Sequence, residues 1–535
     1  MANSALFAGN RGELPPAATT TNLAGGKAYA MSPRHALTQY ALTGTFNDTF
    51  YASASVQLED MLKLCEDVPN DYIAKLAIYA RKEGLMKDTS AFLLAYLSTT
   101  DYPHLAQVFD KVINNGKMLR NYVQMIRSGV LGRKSLGSKL RRLVQVWLLK
   151  ATDRQILEGN IGNDPSLADV IKMVHPKPID PNRAALFAWI IGKPFDKEHL
   201  PKVCADYDAF VATPEEERAT LTLPEVPFLM LSSLQLAQPQ WRELVLKMSW
   251  TQLRMNLNTL QRNDVFADTE ITAFVAGRLK DKEAVLHAKA FPYQILTTYS
   301  AVKGTVPNAI SDALHDAMEY SLINVPTIEG PIAVLCDTSA SMGSEVIGKK
   351  IGNVSSKTTC VDVAALISVA ILRKNPNTVL LGFDTQVHDY REIIDARDTV
   401  ITNAKKLAAQ RGGGTDCAAP LRALTMVHQM HNVSFDTVVM VSDNESWITE
   451  REVQYQGRST PAHQAWSTYK SINPNAKLIC IDINPNKTTQ LAERPGVTNV
   501  GGFSDSVFKL LGQIVAGGTG ADHWVNEVEK SVVIS

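Results

Sequence analysis

The sequence predicts two folds in series: an all-helical repeat array, followed by an α/β domain on a doubly wound parallel sheet. Three observations carry this. The chain has 535 residues, more than one hydrophobic core serves. Residues 35–325 place apolar side chains at helical spacing, with few Val/Ile runs between turns. After Val325 short apolar runs appear, "IAVLCD", "TVLLGFD", "DTVVMVSD" and "KLICIDIN", alternating with helical stretches such as "VDVAALISVAILRK" and "CAAPLRALTMVHQM". Strands that are apolar on both faces and separated by helices belong to a parallel sheet covered on both sides.

Taken in order, "MANSALFAGNRGELPPAATTTNLAGGK" lacks a basic start followed by an apolar core. Residues 1–30 therefore read as a flexible tail and not as a secretion signal. In "YIAKLAIYARKEGL", Ile73, Leu76, Ala77 and Ala80 share one face; Leu244, Met248 and Leu253 repeat the pattern further on. So many medium-length helices suit pairs stacked as a HEAT-like solenoid over residues 31–325, though without a clean sequence period. The α/β domain is expected over 326–516, and "AGGTGADHW" leads into an extension over 517–535.

Apolar residues make up 45% and charged residues 20% of the chain, the balance of an ordinary globular protein. Lys+Arg and Asp+Glu are both 54, so attraction to nucleic acid must come from a local patch. None of the six cysteines forms a CxxC pair, so zinc-site spacing is absent and the thiols read as reduced and buried. No stretch approaches the ~18 apolar residues of a membrane span. The expectation is a cytoplasmic protein that does not enter membranes.

Two stretches carry chemistry. In "PIAVLCDTSASMGSE" a buried strand ends in Asp337, with Ser339 and Ser341 following at a spacing of two. Ligands of doubly wound sheets sit at the carboxyl ends of the strands. Thr415 in "RGGGTD" and Asp443 in "VVMVSDNE" fall on the same rim. Two carboxylates and three hydroxyls are hard ligands for one divalent cation, Mg²⁺ first, with Mn²⁺ or Ca²⁺ as alternatives. Asp482 in "ICIDIN" reads as a strand terminator on that rim. The order D-x-S-x-S, Thr, Asp on an α/β domain resembles the metal-ion-dependent adhesion site of von Willebrand factor A domains. That resemblance implies a cation that grips an acidic group of a partner and turns over no substrate.

The second stretch is residues 117–150, "KMLRNYVQMIRSGVLGRKSLGSKLRRLVQVWLLK". It holds Lys117, Arg120, Arg127, Arg133, Lys134, Lys139, Arg141, Arg142 and Lys150 and no acid. Leu136, Leu140, Leu143, Val144 and Trp147 form a helical apolar stripe, with Lys139 and Arg142 off it. Such a helix can line a phosphate track; the bland alternative is a solvated face. Lys349, Lys350 and Lys357 supply comparable charge away from it.

The order of helical array and A domain, together with "GSKLRRLVQVWL", "SLADVIKMVHPKP" and "KAFPYQILTTY", resembles the Ro 60-kDa autoantigen family, whose helical part is the TROVE module. The resemblance spans about residues 35–515 and implies a monomeric ring closed by an A domain that touches both ends of the array. It also implies binding of small non-coding Y RNAs on an outer basic surface and of single-stranded 3′ ends of misfolded RNAs in the central hole. It further implies cooperation with an exoribonuclease such as polynucleotide phosphorylase. Arg141 and Arg142 match the family's basic pair and His175 its histidine, while Ser138 stands where the family often has Arg. A P-loop, a paired-metal acidic cluster and a Ser/His/Asp set are all missing, so a non-catalytic role is expected. The competing reading is an intracellular scaffold whose A domain grips an acidic partner.

Overall fold

The computed structural model describes residues 15–44, 46–346, 358–410, 412–447, 457–502, 506–516 and 523–534. From the Pro33–Thr43 helix to the Asn308–Ser321 helix the described chain contains no strand. Local chemistry starts many of these helices. Ser32, Ser53 and Asn115 cap the following helices through side-chain oxygens, and Ser166 with Asp169 forms a reciprocal capping box before Leu167–Val174. Neighbouring helices then pack in pairs, Asn70–Lys82 on Asp88–Leu97 and Thr269–Leu279 on Asn308–Ser321. Where Gly116–Arg127 crosses Asp153–Gly159, Gly116 lies directly against Gly159, and a Cβ there would overlap the neighbouring backbone.

The α/β domain holds strands β3 (Ile332–Asp337), β4 (Val379–Phe383), β5 (Val387–Asp389), β6 (Thr437–Ser442), β7 (Lys477–Asp482) and β9 (Val497–Gly501). Their order is β5-β4-β3-β6-β7-β9, all parallel except β5, which pairs antiparallel with β4. Alternate residues of β3 point to opposite faces. Val334 and Cys336 join a core shared with the Cys360–Lys374 helix, and Ala333 and Leu335 join a second core around Leu421, Trp466 and Tyr469. Burial on both faces accounts for the unbroken apolar runs in the sequence.

Both ends of the helical array dock on this domain. The Pro33–Thr43 helix packs on β9, and Gln39 Nε2 donates to Asn484 O at 3.1 Å. At the other end Pro292–Val302 packs on Cys360–Lys374, with Thr297 and Thr358 hydroxyls 2.5 Å apart, and Arg373 pairs with Glu319 at 3.0 Å. The His523–Ser531 helix covers the exposed start of the array, burying Trp524, Val525 and Val528 against Pro33–Thr43 and Asn70–Lys82. A solenoid end has an apolar face that must be covered, and this extension covers one.

The expectation of a flexible tail over residues 1–30 is corrected for residues 15–30; residues 1–14 lie outside the described residues. β1 (Thr20–Thr21) pairs with β2 (Lys27–Ala30), and β2 pairs antiparallel with β8 (Thr488–Thr489). Ala28 and Tyr29 are buried, and Tyr29 Oη lies 2.9 Å from Ser459 Oγ. The Ala/Thr/Gly composition that reads as a tail also makes an edge strand, whose hydrogen-bonding partner lies far along the chain.

Candidate cation site and basic helix

Strand order reverses at β3, so the rim between β3 and β6 is the switch point where loops diverge and leave a crevice. Asp337 ends β3 and Asp443 follows β6, and the register pairs Cys336 with Val441. Asp337 Oδ1 accepts from Ser339 N at 2.9 Å, and its Oδ2 accepts from Ser442 Oγ at 2.6 Å. Ser339 and Ser341 hydroxyls are 3.1 Å apart, and the Ser341 hydroxyl lies close enough to the Asp443 carboxyl to favour its ionised form. Thr415 is buried on the adjoining glycine-rich loop. That loop is tied to the motif by Gly412 N to Thr338 O and Ala340 N to Gly413 O, both 3.1 Å. Gly413 has φ +55°, and a Cβ there would press on the Asp384 carboxylate. The structure thus brings all five sequence-chosen residues to one rim.

Burial pushes the carboxyls of Asp337 and Asp443 up, and for Asp337 the charge of Asp443 adds to it. Burial, then Asp443, raises Glu445 to about 8, and burial raises Asp482 well above the usual carboxylate range. None of these four carboxylates forms an ion pair with another described residue, and Asp443 Oδ2 and Glu445 Oε1 are buried without any partner. Among the described residues no group of three His, Cys, Asp or Glu side chains is arranged around a metal. This rim is instead a mixed hydroxyl and carboxylate set, the donor chemistry that Mg²⁺ accepts. The orphaned Asp443 oxygen and the buried carboxyls that have no cationic partner among the described residues fit such a cation.

Sequence reasoning missed three neighbours. Ser442 and Glu445 flank Asp443 in "VSDNE", so the motif itself could have suggested them. Tyr51, from the loop between Pro33–Thr43 and Ala54–Asp67, has no such signal; its half-buried phenol reaches Ser341 and Trp447.

The basic stretch divides into structural and exposed residues. Arg120 is 5% exposed and donates to Ile161 O at 2.7 Å, Pro165 O at 3.2 Å and Asn163 O at 3.3 Å. Arg133 is half-buried and donates to Ser98 O at 2.9 Å and Leu136 O at 3.3 Å. Both guanidiniums are spent on backbone carbonyls, which corrects their assignment to an RNA surface. Lys117, Arg127, Lys134, Lys139, Arg141 and Arg142 are exposed, and none forms an ion pair with another described residue. The Gly137–Lys150 helix buries Leu140, Val144 and Leu148 and leaves Arg141 and Arg142 outward. Exposed His175 ends the Leu167–Val174 helix at φ 49°, and Gln145 Nε2 donates to Val174 O at 2.6 Å and His175 O at 3.4 Å. Gln145 stands one turn beyond Arg141 and Arg142, so this contact sets His175 beside the basic pair. Lys117 lies apart, near Lys87 and Arg81; burial and these two neighbouring cations lower the Lys87 amine. Lys349, Lys350 and Lys357 lie outside the described residues.

A helical array with both ends docked on a doubly wound domain, whose switch-point rim carries D-x-S-x-S, Thr and Asp, defines a class of helical-repeat proteins closed by a von Willebrand factor A domain. The Ro60 vWA domain model matches residues 332–515 and the TROVE domain model residues 183–365. The chain therefore carries a Ro60-type A domain and a TROVE domain, the two parts of the Ro architecture. It is 26% identical over 470 residues to the RNA-binding protein RO60 of Deinococcus radiodurans, covering 80% of this chain and 83% of that one. The crystal structure of the Deinococcus radiodurans RO (RSR) protein aligns with a TM-score of 0.58 at 22% identity, over 91% of this chain and 100% of that chain. The TROVE match begins at residue 183, beyond the basic helix and His175.

Proposed function

We propose that this protein binds RNA through the exposed cationic face of the Gly137–Lys150 helix, with His175 beside it, as a non-catalytic ribonucleoprotein subunit. The carrying observation is the run of exposed cations that form no ion pair among the described residues, in a chain of zero formal net charge. Phosphate oxygens are the anions such a face lacks, and neutralising them releases counterions. The TROVE and Ro60-type A domains and the name of the Deinococcus relative support the same reading. The ligands it suits are small, structured Y-like RNAs on the basic face and single-stranded 3′ ends, in RNA quality control, maturation or decay. A monomeric cytoplasmic ring that hands RNA to an exoribonuclease completes the proposal. In the A domain, Asp337, Ser339, Ser341, Thr415 and Asp443 would hold one divalent cation. When bound, it would supply charge neutralisation and an open coordination position.

Crosslinking in cells followed by sequencing tests the reading. The parent protein is expected to recover a defined set of small RNAs. The Lys139→Ala/Arg141→Ala/Arg142→Ala variant is expected to lose most of it. Recovery of no defined RNA by the parent would favour a protein scaffold instead.

A further inference from the structure

The face of the A domain that carries the cation rim is covered by the chain itself. The 443–447 loop is spanned by the N-terminal strap. Asn22 Nδ2 donates to Ser446 O at 2.9 Å, and Ala24 N donates to Glu445 Oε2 at 3.0 Å. Gly26 packs so closely on Ser446 O that any Cβ would overlap it. β2 then continues along β8, and Met31 N donates to Lys487 O at 2.9 Å. From another side the first inter-helix loop brings the Tyr51 phenol to Ser341, within the field of Asp443. Under this cover Asp337, Ser339 and Asp443 are 0% exposed, yet Asp443 Oδ2 has no partner.

A rim of this kind gains a partner's carboxylate only if its open side faces solvent. Here Tyr51 lies beside Ser341, and the strap covers the neighbouring Glu445 and Ser446. We propose that the cation site is an internal clasp: a divalent cation held by the rim locks the Tyr51 loop and the N-terminal strap onto the A domain, and so fixes the closure between the A domain and the start of the helical array. This inference rests on the rim holding a cation at all, as proposed above. Tyr51 acts as the positioning group from the helical side.

The test uses the full chain, with Mg²⁺ titrated into chelator-treated protein by calorimetry and hydrogen exchange measured by mass spectrometry with and without Mg²⁺. The clasp predicts one bound Mg²⁺ and amide exchange slowed by about tenfold or more over residues 18–31 and 46–53. It also predicts that Tyr51→Phe, which keeps the ring, still binds Mg²⁺ but loses most of the slowing over 46–53. Added acetate is expected to leave Mg²⁺ affinity unchanged. One bound Mg²⁺ with no change in exchange over both segments would overturn the clasp and leave the cation site standing. Acetate that tightens Mg²⁺ binding would do the same, because the open position would then face solvent. Failure of the parent to bind Mg²⁺ would overturn both readings.

Discussion

The basic helix and the A-domain rim solve opposite electrostatic problems. The Gly137–Lys150 helix and its surroundings hold cations in water without anions, at little desolvation penalty and with strong salt screening. The rim holds carboxyls out of water without cations, where charge costs far more and burial pushes them above their ordinary range. The first arrangement awaits a large, diffuse polyanion and changes little in shape when it arrives. The second has the donor chemistry that suits one small, dense cation, and burial pushes its carboxyls above their ordinary range. Elsewhere the surface pairs its charges locally, as Lys63 with Glu59 at 2.8 Å, Arg154 with Glu158 at 3.1 Å and Lys202 with Asp206 at 2.6 Å. Those pairs show what ordinary solvated faces of this protein look like.

Stripping each kind of charge in turn separates the two regions. Changing Lys139, Arg141 and Arg142 together to Ala is expected to weaken binding of a structured small RNA on the order of 100-fold at moderate salt, about 1 kcal/mol per contact. The slope of log affinity against log salt should flatten by roughly 2–3. The matched variant with Lys63, Arg154 and Lys202 changed to Ala removes the same charge from ion-paired positions. A filter-binding salt series in which both variants lose equally would show that only bulk charge matters.

Arg120 separates the two roles inside the basic stretch. Arg120→Ala strands three backbone carbonyls and is expected to lower unfolding free energy by about 3 kcal/mol in a denaturant melt. The RNA salt slope of the folded variant should stay at the parent value. A stable variant with a flattened slope would return Arg120 to the RNA surface.

His463 tests the burial of charge away from the rim. Burial lowers its imidazole to about 4, and its Nδ1 accepts from Ala492 N at 3.1 Å while Nε2 has no partner. The folded state thus binds its proton less readily than the unfolded chain, whose histidine titrates near 6.5. Stability is therefore lost as pH falls from about 6.5 towards 4, by about 2–3 kcal/mol from this residue. The buried carboxyls with raised values act in the opposite sense, so the effect is read as a difference. His463→Asn keeps the acceptor and should flatten that acid limb relative to the parent. Parallel limbs in the two proteins would assign the acid loss to other groups.

The smallest expected change comes from Asp337→Asn in metal-free protein. It should be no less stable than the parent in chelator, because one of two repelling buried carboxylates is gone. With Mg²⁺ the parent's melting temperature should rise and the variant's should not. A variant that keeps the Mg²⁺-dependent rise would remove Asp337 from the ligand set.

The division into helical array and doubly wound domain was legible in the residues alone, because hydrophobic periodicity is local and the two folds write it differently. The sequence also pointed to the five rim residues: Asp337, Ser339, Ser341 and Asp443 sit at or just after strand ends, which the sheet aligns, and Thr415 lies on a glycine-rich loop between two helices. Composition and spacing were equally enough to find the basic stretch. What they could not do was sort it: Arg120 and Arg133 look like Arg127 and Arg142 until the 161–165 loop and Ser98 come within hydrogen-bonding distance. The same limit hid Tyr51 and the strap. Residues 15–30 have no hydrophobic period of their own, and their structure comes from pairing with Thr488–Thr489 and the 443–447 loop, more than 400 residues away. Only the tertiary structure decided which cations stay free for a ligand and which loops close over the rim, because both depend on contacts between segments that carry no trace of each other in sequence.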